Sequence, residues 1–150
     1  MVMKKTLAMV ALALMLAGCS SQPQATEAQL SALFTEDSAR WESFNAGYQD
    51  CVFEMVITKS NEGQACYTEA KELVAAAKAV LADYEALDVR SELEADGGKT
   101  ITSLQSVVDG DITKACGNGA LPDAELEACG DAVPGWVASL DGLVTALDRW

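Results

Sequence analysis

One spacing pattern restricts the fold of this chain more than any other feature. Apolar residues in the middle of the sequence recur at alternating intervals of four and three, at Cys66, Ala70, Leu73, Ala77, Val80, Tyr84 and Leu87. Such intervals place side chains on one face of an α-helix, and their regular alternation is typical of helices that pack in bundles. A polar turn over 58–63, with Asn61 and Gln64 as a capping pair, predicts that this helix begins near Glu62.

A similar pattern predicts a helix before this one. It begins at a capping box formed by Thr26 and Gln29. Its apolar positions are Leu30, Phe34, Trp41, Phe44, Tyr48, Cys51 and Met55. The pattern weakens over 35–38, where a break or restart is the alternative to a continuous helix. Gly47 is expected to permit the close approach of a neighbouring helix, since glycine inside a helix costs about 1 kcal/mol relative to alanine.

Two further helices are predicted in the second half of the chain. One runs from about Thr100 to Ala115, after a break at Asp96-Gly97-Gly98, and a short helix over 88–96, capped by Ser91 and Glu94, is an option before that break. The other begins near Asp123 and is expected to be kinked or split at Pro134. Its apolar positions are Leu126, Cys129, Val133, Val137, Leu140, Val144 and Leu147.

These patterns together predict the fold class. No segment shows the alternation and β-branched enrichment of strands, so the sequence predicts an all-α fold, an up-down-up-down four-helix bundle. Most aromatic side chains lie on or beside the apolar faces and are interpreted as core residues, namely Trp41, Phe44, Tyr48, Tyr67, Tyr84 and Trp136. Phe53 and Ile57 point away from that face. Either the first helix ends before them, or they form an exposed contact patch.

The cysteines after position 50 predict two disulfides, because their number is even and the sequence indicates an oxidising compartment. Residues that face each other in an antiparallel hairpin lie at equal distances from its turn. The midpoint of Cys51 and Cys66 falls in the first predicted turn, and that of Cys116 and Cys129 falls at the edge of the last connection. Two disulfide-stapled hairpins are therefore favoured, and pairing across the hairpins, such as Cys51 with Cys116, is the main alternative.

The start of the chain has the features of a secretory signal. Lys4 and Lys5 precede an apolar run from Leu7 to Ala17, which is too short for the roughly 20 residues of a membrane span. The run ends in Leu16-Ala17-Gly18-Cys19, which resembles the lipobox of bacterial lipoproteins. The resemblance implies a signal peptide over 1–18, and a mature chain that begins at Cys19 with a thioether-linked diacylglycerol and an N-acyl chain such as palmitate.

This resemblance also implies a location. Several acyl chains hold a protein firmly on a membrane, so a lipidated tether over 19–25 would keep a helical domain over 26–150 close to the bilayer. Ser20 follows the acylated cysteine, where an aspartate favours inner-membrane retention in Gram-negative lipoproteins. We therefore expect a lipid-anchored protein on the periplasmic face of the outer membrane.

Charge and composition restrict the partners. The chain carries 23 acidic and 10 basic residues, a net charge of −13, which becomes about −15 when Lys4 and Lys5 leave with the signal peptide. Nucleic acid and anionic headgroups are thus unfavourable partners. The acidic surface either keeps the domain soluble or attracts a cationic partner.

The sequence indicates no catalytic or metal site. With no histidine, the chain lacks an imidazole base or metal ligand, and no cofactor or metal is expected. Gly98-Lys99-Thr100 copies the end of a phosphate-binding loop, but Leu93 replaces its first glycine. Asp109-Gly110-Asp111 lacks the ligand spacing of a calcium loop, and a solvated helix kink is favoured. The helical carboxylates are interpreted as solvated faces, namely Glu54, Glu69, Glu72, Asp83 and Glu85.

Three functions remain open at this point. The first is a non-catalytic envelope lipoprotein that acts by protein binding or scaffolding. The second is an inhibitor or immunity lipoprotein that neutralises a cationic enzyme attacking the cell wall. The third is a carboxylate-dependent hydrolase, which needs two carboxylates flanking one pocket. The size of the chain and its lack of a catalytic pattern favour the first.

Overall fold

The computed structural model of this chain describes residues 23–52, 61–116 and 123–150. All regular secondary structure in these ranges is helical, which confirms the predicted all-α class. In chain order the elements are α1 (Glu27–Thr35), α2 (Ser38–Val52), α3 (Asn61–Glu85), α4 (Ser91–Asp109), α5 (Thr113–Cys116) and α6 (Asp123–Leu147). They pack as a helical bundle, in which α6 contacts α4, α2 and α5, and α3 contacts α4, α2 and α1. Within the described ranges, no helix has the length and apolarity that a membrane span requires.

The first predicted helix is two helices in the structure. The capping box is present, since the Thr26 amide donates to Gln29 Oε1 (2.8 Å) and the Gln29 amide donates to Thr26 Oγ1 (3.3 Å). The helix then breaks after Thr35, and α2 restarts at Ser38. This restart lies where polar Asp37 interrupts the apolar pattern, and it leaves Trp41 fully buried.

The predicted break at Gly97-Gly98 is wrong, since α4 runs through both glycines. Gly97 is buried, and a Cβ there would lie 3.7 Å from the Phe34 ring and 3.8 Å from the Tyr84 ring. Packing of these rings against the backbone offsets the helix-propensity cost of glycine, which is about 1 kcal/mol. The predicted cap is also displaced, because Arg90 rather than Ser91 occupies the N-cap position.

The end of α4 differs from the prediction as well. The helix stops at Asp109 rather than near Ala115, and the single turn of α5 follows. At Gly110, an added Cβ would lie 3.2 Å from the Ser106 carbonyl oxygen and 3.5 Å from Trp136 Cδ1. The Ser106 carbonyl is therefore one reason for glycine at this bend, whereas Trp136 lies at ordinary contact distance.

Two other expectations about helix interiors are corrected. Gly47 is exposed, and a Cβ there would have no atom of the described helices within 4 Å, so Gly47 mediates no close contact with them. Helix α6 continues through Pro134 as one helix, so the split is wrong. Pro134 lies on the exposed side, whereas Trp136 and Leu143 join the predicted apolar positions in the core.

The core contains the aromatic residues that the sequence assigned to it. Trp41, Tyr67 and Trp136 are buried, and the remaining three pack partly buried against the core, namely Phe44, Tyr48 and Tyr84. Trp136 Nε1 donates to the Val107 carbonyl (3.2 Å), and the Phe44 ring meets Trp136 edge-on with centroids 5.5 Å apart. These contacts tie α6 to α4 and α2.

Two disulfides join neighbouring elements. Cys51 at the end of α2 is bonded to Cys66 in α3, and Cys116 in α5 is bonded to Cys129 in α6. The Cα atoms of the two pairs are 5.5 and 4.7 Å apart, within the usual range for disulfides. This is the pairing that the sequence favours, and pairing across the two halves is wrong.

The last residue anchors α1 to the rest of the bundle. Trp150 Nε1 donates to Thr100 Oγ1 (2.9 Å), and Ser31 Oγ donates to the Trp150 carbonyl oxygen (2.9 Å). The Trp150 ring also packs on Phe34, with centroids 5.0 Å apart. Nearby, the Ala25 amide donates to the Asp88 carbonyl (2.8 Å), so the chain enters the bundle beside the connection between α3 and α4.

Candidate functional site

Several residues to which the sequence assigned a role lie outside the described residues. These are the lipid-attachment residue Cys19 and the contact-patch residues Phe53 and Ile57. The described part of α2 stops at Val52, and residues 53–60 lie outside the described residues, so both readings of that patch stay predictions. Glu54, one of the helical carboxylates, lies outside as well.

The carboxylates Glu69 and Glu72 are bound to one arginine. Arg40 Nη2 lies 2.9 Å from Glu69 Oε1 and 2.9 Å from Glu72 Oε2, and Arg40 Nε donates to Glu69 Oε1 (3.1 Å). The hydrogen bond to Glu69, followed by its charge and the bond to Glu72, raises the pKa of Arg40 despite partial desolvation. This group is a tie between α2 and α3, in which both carboxylates are bound to the same guanidinium.

The Asp109-Gly110-Asp111 triplet has a structural role at the turn before α5. Asp111 Oδ1 accepts from the Thr113 amide (2.9 Å), and its Oδ2 accepts from Lys78 Nζ (3.2 Å). Burial opposes ionisation of Asp111, but the hydrogen bonds from Thr113 and Lys78 outweigh it and lower the pKa of this carboxyl. Asp111 therefore attaches the turn before α5 to helix α3, in which Lys78 lies.

Gly98-Lys99-Thr100, the apparent end of a phosphate loop, lies inside α4. Thr100 is 1% exposed and bonds to Trp150 Nε1, while Lys99 projects from the exposed side of the same helix. A phosphate-binding loop needs backbone amides that are not used in a helix. The structure thus supports the rejection of this motif.

One depression on the surface of the described residues is a groove of about 970 Å³ between α4 and α6, here called the α4/α6 groove. Small residues line most of it, among them Ala95, Gly98, Gly142 and Ala146. A Cβ at Gly98 or Gly142 would meet no atom of the described residues within 4 Å, so packing among those residues requires neither glycine.

Charged residues lie at one end of the α4/α6 groove. Arg149 Nη2 is 2.6 Å from Asp96 Oδ2, and this hydrogen bond lowers the pKa of Asp96. Lys99 also lines the groove. With one carboxylate and two cations, the groove is less acidic than the chain as a whole.

A second depression lies on the other side of α6. It has a volume of about 490 Å³ and lies between α2 and α6; we call it the α2/α6 cleft. Its lining residues are Asn45, Tyr48, Pro134, Val137, Ala138 and Asp141. Asn45 Nδ2 donates to Asp141 Oδ1 (3.1 Å), which joins residues 96 positions apart. Asn45 Oδ1 is buried and has no hydrogen-bond partner among the described residues.

The cleft has the elements of a binding site for a donor group. The Asp141 side chain is exposed, and the bond from Asn45 occupies one of its two oxygens. Tyr48 offers an aromatic surface at its wall, since it is half-buried against the core. Pro134, Val137 and Ala138 supply apolar walls.

Sequence analysis did not identify either depression, although it placed Tyr48 and Val137 in apolar patterns. The α4/α6 groove has one visible signal, because small residues recur along α6 at intervals of four and three, at Ala128, Ala132, Gly135, Ser139, Gly142 and Ala146. The α2/α6 cleft has no such signal. Asn45 and Asp141 meet only because α2 packs on α6.

Comparisons with protein-family models, with curated proteins and with solved structures found no match to this chain. Function is therefore inferred from the residues and geometry described above.

Proposed function

We propose that this chain is a non-catalytic, lipid-anchored lipoprotein of the cell envelope that acts by binding or scaffolding another protein. The observation that carries the binding role is the pair of depressions flanking α6. Among the described residues that line them, each depression has only one carboxylate, Asp96 in the groove and Asp141 in the cleft. Both depressions open to solvent between helices, which suits contact with a protein better than enclosure of a small substrate.

The anchor follows from Leu16-Ala17-Gly18-Cys19. We propose that acylated Cys19 attaches the chain to the periplasmic face of the outer membrane, as its lipobox resemblance implies. The Ala25–Asp88 hydrogen bond supports a short tether, because it fixes the chain to the bundle six residues after Cys19. Six residues span at most about 20 Å. The domain would then stay close to the membrane.

We further propose that the bundle has up-down-up-down topology. In this arrangement α1 and α2 form the first arm, α3 the second, α4 and α5 the third, and α6 the fourth. The disulfides support it, because each joins consecutive arms near a connection in the chain, as a hairpin requires. Contacts of Trp150 with Ser31 and Thr100 support it too, because they bring the end of α6 to α1 and α4.

Two measurements test this function. Acyl labelling in cells should mark the wild-type chain and not Cys19→Ala, which should also leave an unprocessed precursor. For the binding role, photo-crosslinking side chains placed at Ala138 and Gly142 beside α6 should capture the same envelope protein. Matched crosslinkers at exposed Asp83 and Glu85 on α3 should not capture it. Labelling of Cys19→Ala would refute the anchor, and equal capture from α3 and α6 would refute a binding face at α6.

The second candidate is an inhibitor or immunity lipoprotein directed against a cationic enzyme that attacks the cell wall. Two features favour it, namely the net charge of −13 and the exposed Asp141 in the α2/α6 cleft. A chain of this kind would slow such an enzyme at low salt and lose the effect as salt screens the charges. Assays of basic wall-cleaving enzymes with increasing chain concentration would test it, and unchanged rates at low salt would exclude it.

A further inference from the structure

We infer that the α2/α6 cleft is a pocket for a basic side chain, an arginine or lysine presented by a partner protein. This inference rests on the proposed binding function and adds the chemistry that the partner must supply. Among the described residues that line the cleft, Asp141 alone carries a charge. The charge of the cleft therefore favours a cationic occupant.

The other walls fit the rest of such a side chain. Arginine and lysine carry three or four methylene groups before the charged head, and these stems pack well on apolar surface. Pro134 and Ala138 are exposed on the α6 side of the cleft and offer that surface. Tyr48 on the α2 side supplies an aromatic ring, over which a cation is stabilised by the ring's negative face. A neutral apolar occupant would leave Asp141 without a partner.

Asn45 is a positioning residue in this arrangement. Its amide donates to Asp141 Oδ1, which holds the carboxylate at the cleft and leaves Oδ2 to accept from an occupant. Asn45 Oδ1 is itself buried among the described residues, so it is not available to the occupant. The occupant's hydrogen bonds therefore go to Asp141 Oδ2, which a guanidinium can reach with its N–H donors.

The cleft also differs from the acidic positions that are paired with a cation of the chain itself. Glu69 and Glu72 already share Arg40, Asp111 is bound to Lys78, and Asp96 is bound to Arg149. Asp141 instead has Asn45, a neutral partner, and a cavity of about 490 Å³ beside it. This combination of a carboxylate without a cation, an aromatic wall and space is what assigns the basic side chain to this cleft.

The test uses amide NMR spectra of the full chain in a non-ionic detergent. N-acetyl-arginine amide is titrated against the wild type, and N-acetyl-citrulline amide, its neutral isostere, serves as the ligand control. We expect saturable shifts at Asn45, Tyr48, Ala138 and Asp141 with the arginine probe, and at least about fivefold weaker binding of the citrulline probe.

Two variants locate the effect. Asp141→Asn should weaken the arginine probe at least about fivefold, whereas Asp131→Asn should bind it as the wild type does. Asp131 is an exposed carboxylate ten residues earlier in α6, about 15 Å along the helix axis. Asp131→Asn therefore removes the same charge as Asp141→Asn, but away from the cleft. Tyr48→Leu keeps most of the apolar volume and should weaken binding about two- to fivefold.

Two results would overturn the inference. One is equal binding of the arginine and citrulline probes by the wild type, a comparison that does not depend on any variant folding. The other is an equal effect of Asp141→Asn and Asp131→Asn, which would indicate general attraction to an acidic surface. If crosslinking beside α6 is position-specific and either of these results is also found, the proposed binding function is kept and only the basic-side-chain pocket is refuted.

Discussion

Replacement of Thr100 by valine should destabilise the chain, although the two side chains have nearly the same shape. Thr100 is 1% exposed, and its Oγ1 accepts from Trp150 Nε1 at 2.9 Å, a bond between residues 50 positions apart. A net hydrogen bond contributes about 0.5–1.5 kcal/mol, and a buried donor left unpaired costs about 1–3 kcal/mol. Trp150 is half-buried, so water would satisfy part of its lost bond. We expect a loss of about 1–2 kcal/mol in the free energy of unfolding.

Thr102→Val is the matched control in the same helix. Thr102 is exposed, and its hydroxyl donates to the Gly98 carbonyl four residues earlier (2.7 Å), a local bond that adds little to a helix. Thr102→Val should therefore change the free energy of unfolding by less than about 0.5 kcal/mol.

Urea unfolding of the fragment from Ser20 to Trp150, followed by circular dichroism, gives both values. Fluorescence should also report a changed Trp150 environment in Thr100→Val. Equal losses in the two variants, or no loss in Thr100→Val, would show that the Thr100–Trp150 bond does not hold the end of α6.

Three further predictions concern other contacts. Non-reducing proteolysis should recover peptides that join Cys51 to Cys66 and Cys116 to Cys129; their reduction should lower stability by about 3 kcal/mol per bridge in the loop-entropy model while the spectrum stays helical. A peptide joining Cys51 to Cys116 would contradict this. Because the pKa of Asp111 is lowered on folding, its contribution is present at neutral pH and lost as the pH falls through its folded value. Asp111→Asn should therefore reduce the loss of stability in acid, as urea midpoints at several pH values would show, and an unchanged acid profile would argue against the effect. Gly97→Ala should stabilise α4 by about 0.5–1 kcal/mol, because the new methyl group meets Phe34 at ordinary contact distance. A lower thermal midpoint for Gly97→Ala would mean that the rings need the closer backbone.

The elements of the fold were largely predictable because a packed helix must repeat its apolar residues at its own period. This holds best for α3, where the regular intervals and the cap signal near Asn61 agree with a helix over Asn61–Glu85. The disulfides followed from the same logic, since equal distances from a turn identify facing residues. Local periodicity and turn chemistry were sufficient for both.

The errors occurred where tertiary contacts outweighed local propensity. Gly97 and Gly98 read as a break because glycine weakens a helix, yet Phe34 and Tyr84 pack on Gly97 and α4 continues. At Gly110 the sequence predicted a solvated kink inside a helix that continues to about Ala115, whereas the helix ends at Asp109 and α5 follows. At Gly97 the deciding neighbours are distant in sequence, so no window of local residues contains them.

The candidate sites were harder to predict for the same reason. A periodic pattern shows which side of a helix faces the core, but not which helices become neighbours. In the sequence pattern, Asn45 lies beside the apolar face of α2, and Asp141 is predicted to be an ordinary exposed carboxylate of α6. Their hydrogen bond, and the cleft around it, arise only from the packing of α2 on α6.

The placement of the basic residues gives the strongest physical reason to expect a cationic partner. Among the described residues, Arg40 ties α2 to α3, Lys78 ties α3 to the turn before α5, and Arg149 ties α6 to α4. Each of these cations is thus engaged with carboxylates of the chain itself, while acidic residues exceed basic ones by 13. The carboxylates that remain without a cation generate a negative field, which speeds encounter with a positive surface. Asp141 lies where that field meets a cleft with apolar and aromatic walls. The field would thus attract a basic partner from a distance, and the cleft would select one that presents a long cationic side chain.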